Sequence, residues 1–196
     1  MSRYNPRIVT GRMPRRDVLK GGLGLGVGLS FVPSAALGQD DPTSLRPKEG
    51  DLLVREGDAA RKPLTPDDLA IGATQTMAWA MDPNDRTVRS GSRLNRVLLI
   101  RLDAGKLDPE TRSRAADGVV AYTAICTHTG CEVVEWLGDE GVLHCPCHFS
   151  KFNPSDGGRV VDGPAPRPLP ALPLAIGDGR LVVAKPFTTK VGFETA

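Results

Sequence analysis

The chain has 196 residues, with 25 Lys and Arg against 23 Asp and Glu, for a formal charge of +2. That length allows one ordinary folded domain, or a small domain with extensions. The near-neutral balance argues against a basic nucleic-acid binder, so no nucleic-acid partner is expected. The 22 Gly and 17 Pro exceed the usual share without reaching a disordered or collagen-like composition. Charge is unevenly placed. Residues 1–38 carry Arg3, Arg7, Arg12, Arg15, Arg16 and Lys20 against Asp17 alone, hence +5, which leaves −3 on the remainder.

The head runs Arg15-Arg16-Asp17-Val18-Leu19-Lys20 into the Gly-rich stretch Gly21–Val32. Paired arginines, an apolar residue two positions on, and a weakly apolar run resemble a twin-arginine export signal. A basic tail before a Gly-rich linker is the plainer alternative. Residues 21–38 are uncharged and just long enough to be considered as a membrane span. Six glycines and Pro33 weaken that run, and Ala36-Leu37-Gly38 has the form of a cleavage site. The expectation is a signal or anchor over residues 1–38, with membrane association through residues 21–38. It places the protein in the periplasm or on the periplasmic face of the inner membrane.

Residues 39–66 are polar and punctuated by proline, and read as a linker with one edge strand at Leu52-Leu53-Val54. Short apolar runs follow at residues 97–100, 119–122, 133–136, 142–143, 160–161 and 181–183. Turn signals separate several of them, notably Gly138-Asp139-Glu140-Gly141 and Gly177-Asp178-Gly179. This spacing predicts a small all-β, antiparallel domain over residues 67–188, with a tail at residues 189–196. One helix is expected, with Asp108 as N-cap and Pro109 opening Glu110–Ala116 as a surface insertion.

All four cysteines and all three histidines fall between Cys126 and His148. The first group is Cys126-Thr127-His128-Thr129-Gly130-Cys131, and the second is Cys145-Pro146-Cys147-His148-Phe149-Ser150. Two Cys and two His could bind zinc, but C-x-H with C-x-x-H departs from the usual finger spacing. Two disulfides would leave the histidines without a role. His144, in the strand-like Val142–Cys145, reads as a structural or surface histidine.

The two groups resemble the paired cluster-binding loops of Rieske iron–sulfur proteins. Gly163-Pro164-Ala165-Pro166 is similar to the proline loop that covers the cluster in that family. The resemblance spans about residues 94–185. It implies a Rieske-type antiparallel β domain with a two-loop cluster-binding subdomain and a 2Fe-2S cofactor. Cys126 and Cys145 would hold one iron, and His128 and His148 the other, an arrangement that raises the potential. Cys131 and Cys147 would form a disulfide tying the loops together, as an oxidising compartment permits. The chain-entropy argument gives such a bridge roughly 3 kcal/mol.

Cluster tuning falls to Ser150, Phe152, Gly163, Pro164 and Pro166. Ser150 stands where high-potential members place a hydroxyl donor. Phe152 replaces their sulfur-bonding tyrosine, and Phe149 replaces a glycine. Loss of a donor to sulfur predicts a lower potential than in members that keep the tyrosine. The resemblance further implies histidines bound through Nδ1, with Nε2 exposed, and a midpoint that falls as pH rises in the alkaline range. Thr129, Phe149 and Pro164–Pro166 would surround the tip where a quinol or redox protein docks.

The expected function is an exported one-electron carrier, the iron–sulfur subunit of a ubiquinol–cytochrome c reductase type of complex. Its partners would be quinol and cytochrome c or cytochrome b/c1-type subunits. The alternative is the small subunit of a periplasmic molybdenum oxidase such as arsenite oxidase, partnered by a molybdopterin large subunit. An oxygenase ferredoxin fits less well, because export and the second cysteine pair speak against it. No nucleotide loop or catalytic triad is present, so the chain reads as an electron-transfer subunit rather than a complete enzyme.

Overall fold

The computed structural model describes residues 41–193. Over these residues ten strands follow in chain order: β1 (Leu52–Arg55), β2 (Thr76–Met81), β3 (Val97–Arg101), β4 (Val119–Thr123), β5 (Glu135–Leu137), β6 (Val142–Cys145), β7 (Ser150–Asn153), β8 (Arg159–Asp162), β9 (Leu174–Gly177) and β10 (Arg180–Val183). A six-stranded sheet has the order β4-β3-β2-β1-β10-β9, and a four-stranded sheet the order β5-β6-β7-β8. Every strand pairing is antiparallel, as the short runs and turn signals predict.

Strands β3 and β4 explain why their sequences are apolar almost without interruption. Val97, Leu99, Val119 and Ala121 face a core shared with Leu53 and Leu181. The alternate residues Leu98, Ile100, Val120 and Tyr122 face a second core, shared with Leu143 and Phe152. Side chains alternate across a strand, so a strand buried on both faces loses the apolar–polar alternation of a half-solvated one. Cys126 and Cys145 belong to this second core, which places them directly behind the β3–β4 wall.

Leu52-Leu53-Val54 does form a strand, but an interior one, and this corrects the edge-strand expectation. β1 pairs with β2 through Leu52–Arg55 and with β10 through Leu52. The preceding stretch is anchored as well. Asp51, fully buried, receives two hydrogen bonds from the guanidinium of Arg89, at 2.5 and 3.0 Å. Burying Asp51 as a lone charge would be costly, and the bidentate arginine offsets that.

Strand β5 begins at Glu135 rather than Val133, because the Val133 N–H turns back to the Ala124 carbonyl at 2.8 Å. Strands β2, β7 and β9 were not expected. Thr76–Met81 lacks β-branched residues apart from its threonine, and Ser150–Asn153 lies inside the second motif. Both turn signals hold. Asp178 (φ 48°) and Gly179 (φ 73°) make the left-handed pair of a two-residue hairpin between β9 and β10.

Helix α1 (Pro109–Arg114) is capped by Asp108, whose side chain accepts from the N–H groups of Glu110 and Thr111. Thr111 is its buried residue, and it accepts a hydrogen bond from the Gly157 N–H at 2.7 Å, stitching the helix to the β7–β8 turn. Tyr122 links the two sheets by donating its buried hydroxyl to the Pro154 carbonyl at 2.8 Å. Among the described residues no helix is long and apolar enough to cross a membrane. The paired arginines and the run at residues 21–38 lie outside the described residues.

Candidate metal centre

Two loops at one end of the four-stranded sheet bring the cysteines and histidines together. The first leaves β4 and is closed on itself, with the Cys126 N–H donating to the Cys131 carbonyl at 2.7 Å. The Gly130 N–H donates back to the Cys126 carbonyl at 3.1 Å. The second is the β6–β7 turn, where the Phe149 N–H donates to the Cys145 carbonyl at 3.0 Å. A disulfide between Cys131 and Cys147 joins them, with Cα atoms 6.4 Å apart, within ordinary bridge geometry. This is the pairing the resemblance implies.

The remaining donors meet as two pairs. Cys126 and Cys145 are free thiols, each 1% exposed and interacting with the other. The imidazoles of His128 and His148 stand edge to face with centroids 4.6 Å apart. Among the described residues no three His, Cys, Asp or Glu side chains are grouped to hold a single metal ion. Two sulfurs in one pair and two nitrogens in the other suit a two-iron cluster with split ligation.

Burial pushes the Cys126 thiol up to about 11. The backbone N–H of His128 and the hydroxyl of Ser150 pull it down, while Cys145 raises it. A thiolate here therefore needs a compensating cation, as a metal supplies. His128 Nδ1 is buried with no hydrogen-bond partner. Buried nitrogens are almost always paired, so a lone pair left unmatched at this point fits an iron ligand.

The proline loop closes over the second loop. Ser150, 1% exposed, accepts the Ala165 N–H at 3.2 Å, which leaves its own proton free for the neighbouring sulfur. Gly163 has φ 84°, and a Cβ there would lie 2.5 Å from Ser150 Cα and 2.8 Å from the Phe149 carbonyl oxygen. Only glycine permits so close a backbone approach. Pro164 and Pro166 are exposed on either side of buried Ala165. Phe152 is fully buried in the core behind the cysteines.

Phe149 carries the second departure. It is 67% exposed with φ 62°, a left-handed backbone at the site where the resemblance has glycine. Its ring stacks on His144 at 5.9 Å. His144 pairs across the strands with Glu135, Nδ1 to Oε2 at 2.6 Å, so it is structural as expected.

Sequence reasoning missed three contacts. Thr127 donates to the Arg167 carbonyl at 2.7 Å, Arg93 donates to the Gly130 carbonyl at 2.8 Å, and Phe193 packs on Gly130. Thr127 sits inside the first motif and could have been found there. The other two come from outside both motifs and carry no local signal.

Comparison with known proteins shows the family. The Rieske 2Fe-2S domain family matches residues 86–173. The cytochrome bc1 complex Rieske iron-sulfur subunit of Streptomyces lividans is 33% identical over 147 residues, which are 74% of this chain and 85% of that one. This chain belongs to the Rieske iron–sulfur family. Its cofactor is accordingly a Rieske 2Fe-2S cluster, and its role is electron transfer. A Haloferax mediterranei protein whose name assigns it to a respiratory nitrate reductase as the Rieske subunit is 46% identical over 76 residues, 38% of this chain and 34% of that one. The chloroplast cytochrome b6-f iron-sulfur subunit of Oryza sativa is 38% identical over 100 residues, covering 51% and 39%. The chain thus spans most of the first relative and well under half of the other two.

Proposed function

We propose that this Rieske protein is the exported iron–sulfur subunit of a membrane quinol–cytochrome oxidoreductase, with Cys126, Cys145, His128 and His148 holding its cluster. The paired donors carry this reading, and the match along 85% of the Streptomyces bc1 subunit supports it. The bound cluster supplies storage and release of one electron. Cys126 and Cys145 hold it from the dry side, in the core behind β3 and β4. His128 and His148 stand on the outer side, where His148 is exposed. With Nδ1 of His128 buried, Nε2 is the atom left to carry a proton toward a docked quinol. Exposed Pro164 and Phe149 flank that tip and give it an apolar rim.

A second reading, a Rieske subunit of a different respiratory oxidoreductase such as a periplasmic molybdenum oxidase, draws on the Haloferax relative. Purification of the native protein from membranes and periplasm separates the two. The first reading expects a membrane complex containing cytochrome b, and the second a soluble partner containing molybdopterin. Both expect a strongly anisotropic paramagnetic spectrum on reduction, and a midpoint that falls with pH in the alkaline range. A pH-independent midpoint would overturn the assignment of exposed histidine ligands.

A further inference from the structure

Gly130 is gripped from outside the two loops. Arg93 belongs to the 3-10 turn Arg93–Asn95, and its Nη2 donates to the Gly130 carbonyl at 2.8 Å. A Cβ on Gly130 would stand 2.9 Å from Phe193 Cδ1 and 3.2 Å from that same Nη2. Gly130, at φ 80°, is therefore the residue that lets a guanidinium and an aromatic ring close on the loop together.

Each side of the grip is anchored in turn. The turn bearing Arg93 is tied to the segment before β1, since Arg46 donates to the Leu94 carbonyl at 2.8 Å and Asn95 to the Leu45 carbonyl at 2.7 Å. The stretch bearing Phe193 is held by Arg167, which donates to the carbonyls of Lys190 at 2.9 Å and Gly192 at 2.5 Å. The residues expected as a tail thus reach, as far as they are described, back to the first loop.

We infer that Arg93 is a positioning residue for the cluster, setting its potential through the orientation of the Gly130–Cys131 peptide. The described peptide bonds are trans, so the Gly130 carbonyl and the Cys131 N–H point in opposite directions. With the carbonyl held by Arg93, the Cys131 N–H is turned away from Arg93, and the inference directs it toward the cluster. A backbone N–H aimed at cluster sulfur favours the reduced, more negative state and raises the potential. The positive charge of Arg93 acts in the same direction. It lies on an exposed residue, however, where salt screens it, so the peptide orientation is the larger effect. The inference rests on the ligand assignment proposed above.

Midpoint potentials of the cluster-loaded full chain at low and high salt, with the reduced-state paramagnetic spectrum, test it. Arg93→Ala is expected to lower the midpoint at both salt concentrations while keeping an anisotropic spectrum. Arg93→Lys and Arg93→Gln retain a donor and should stay close to wild type. Phe193→Ala, which frees the other side, should lower the midpoint less. Arg46→Ala removes one of the bonds that anchor the same turn without touching the loop, and should lower the midpoint less than Arg93→Ala. An unchanged midpoint in Arg93→Ala overturns the inference. So does a gap between Arg93→Gln and wild type that closes as salt is raised, because that is a screened charge and not an oriented peptide. Should Arg93→Ala fail to load, the Phe193→Ala midpoint takes its place: a lowered value at both salt concentrations supports the inference, and an unchanged one overturns it. A wild-type chain without the anisotropic spectrum would instead fail the ligand assignment, independently of Arg93.

Discussion

The six-stranded sheet is built around Leu53, Leu99, Leu181 and Val183, each fully buried, and its order depends on area removed from water. The four-stranded sheet is different. β8 lies largely at the surface, β5 is three residues long, and the loops at its tip are held by a disulfide, by turn hydrogen bonds and by the proposed ligands. Its strands β6 and β7 pack into the core shared with β3 and β4, but the loops beyond that core need staples, whereas the larger sheet relies on packing. Damage to one region should therefore read out differently from damage to the other.

The largest contrast is between a proposed ligand and a core leucine. His148→Ala is expected to abolish the anisotropic spectrum while far-ultraviolet circular dichroism still reports the β structure. Leu99→Ala should do the reverse, costing about 2–5 kcal/mol in urea unfolding as a buried leucine does when removed. Its spectrum should keep the wild-type g values. If His148→Ala unfolded the whole chain, the six-stranded sheet would not be the independent support described.

The same contrast explains what could be read from the sequence. The site was legible because its chemistry is local. Cys126, His128 and Cys131 share one turn, and Cys145, Cys147 and His148 share another, so each group is local, while their roles were implied by the resemblance to the Rieske loops. The sheet was legible only in part. β3 and β4 announced themselves by unbroken apolar runs, yet β1 lay in a stretch whose prolines and charges read as linker. Its place between β2 and β10 depends on partners about 25 and 130 residues away, and no local pattern encodes that. Arg93 was invisible for the same reason, since its contact spans 37 residues.

A smaller effect separates packing from tuning at Phe152. The ring is fully buried, cross-strand from Leu143 and Val160, in the core that contains both free cysteines. Phe152→Tyr adds a hydroxyl that must find an acceptor there. The resemblance implies a cysteine sulfur as that acceptor, so the midpoint should rise. Fitting one more atom into a close-packed site costs typically about 1–3 kcal/mol, which urea unfolding would register. A stability loss with an unchanged midpoint would make Phe152 a packing residue only.

The smallest expected effect concerns Phe149, where backbone strain and stacking oppose each other. Its left-handed conformation costs about 1–2 kcal/mol in any residue with a Cβ. Its stack on His144 recovers part of that, although the ring is two-thirds exposed. Phe149→Ala keeps the strain and loses the stack, whereas Phe149→Gly loses both and gains chain entropy in the unfolded state. The glycine variant should therefore be more stable than the alanine variant by roughly 1 kcal/mol, and close to wild type. Urea unfolding of the three chains measures this directly. If alanine matched glycine, the turn would relax away from φ 62° once the ring is removed. The aromatic ring itself would then be what holds the second loop in its left-handed form. If glycine proved the more stable, the loop would dictate the backbone and Phe149 would sit there at a cost. That second outcome fits a residue retained for what its exposed ring touches at the tip.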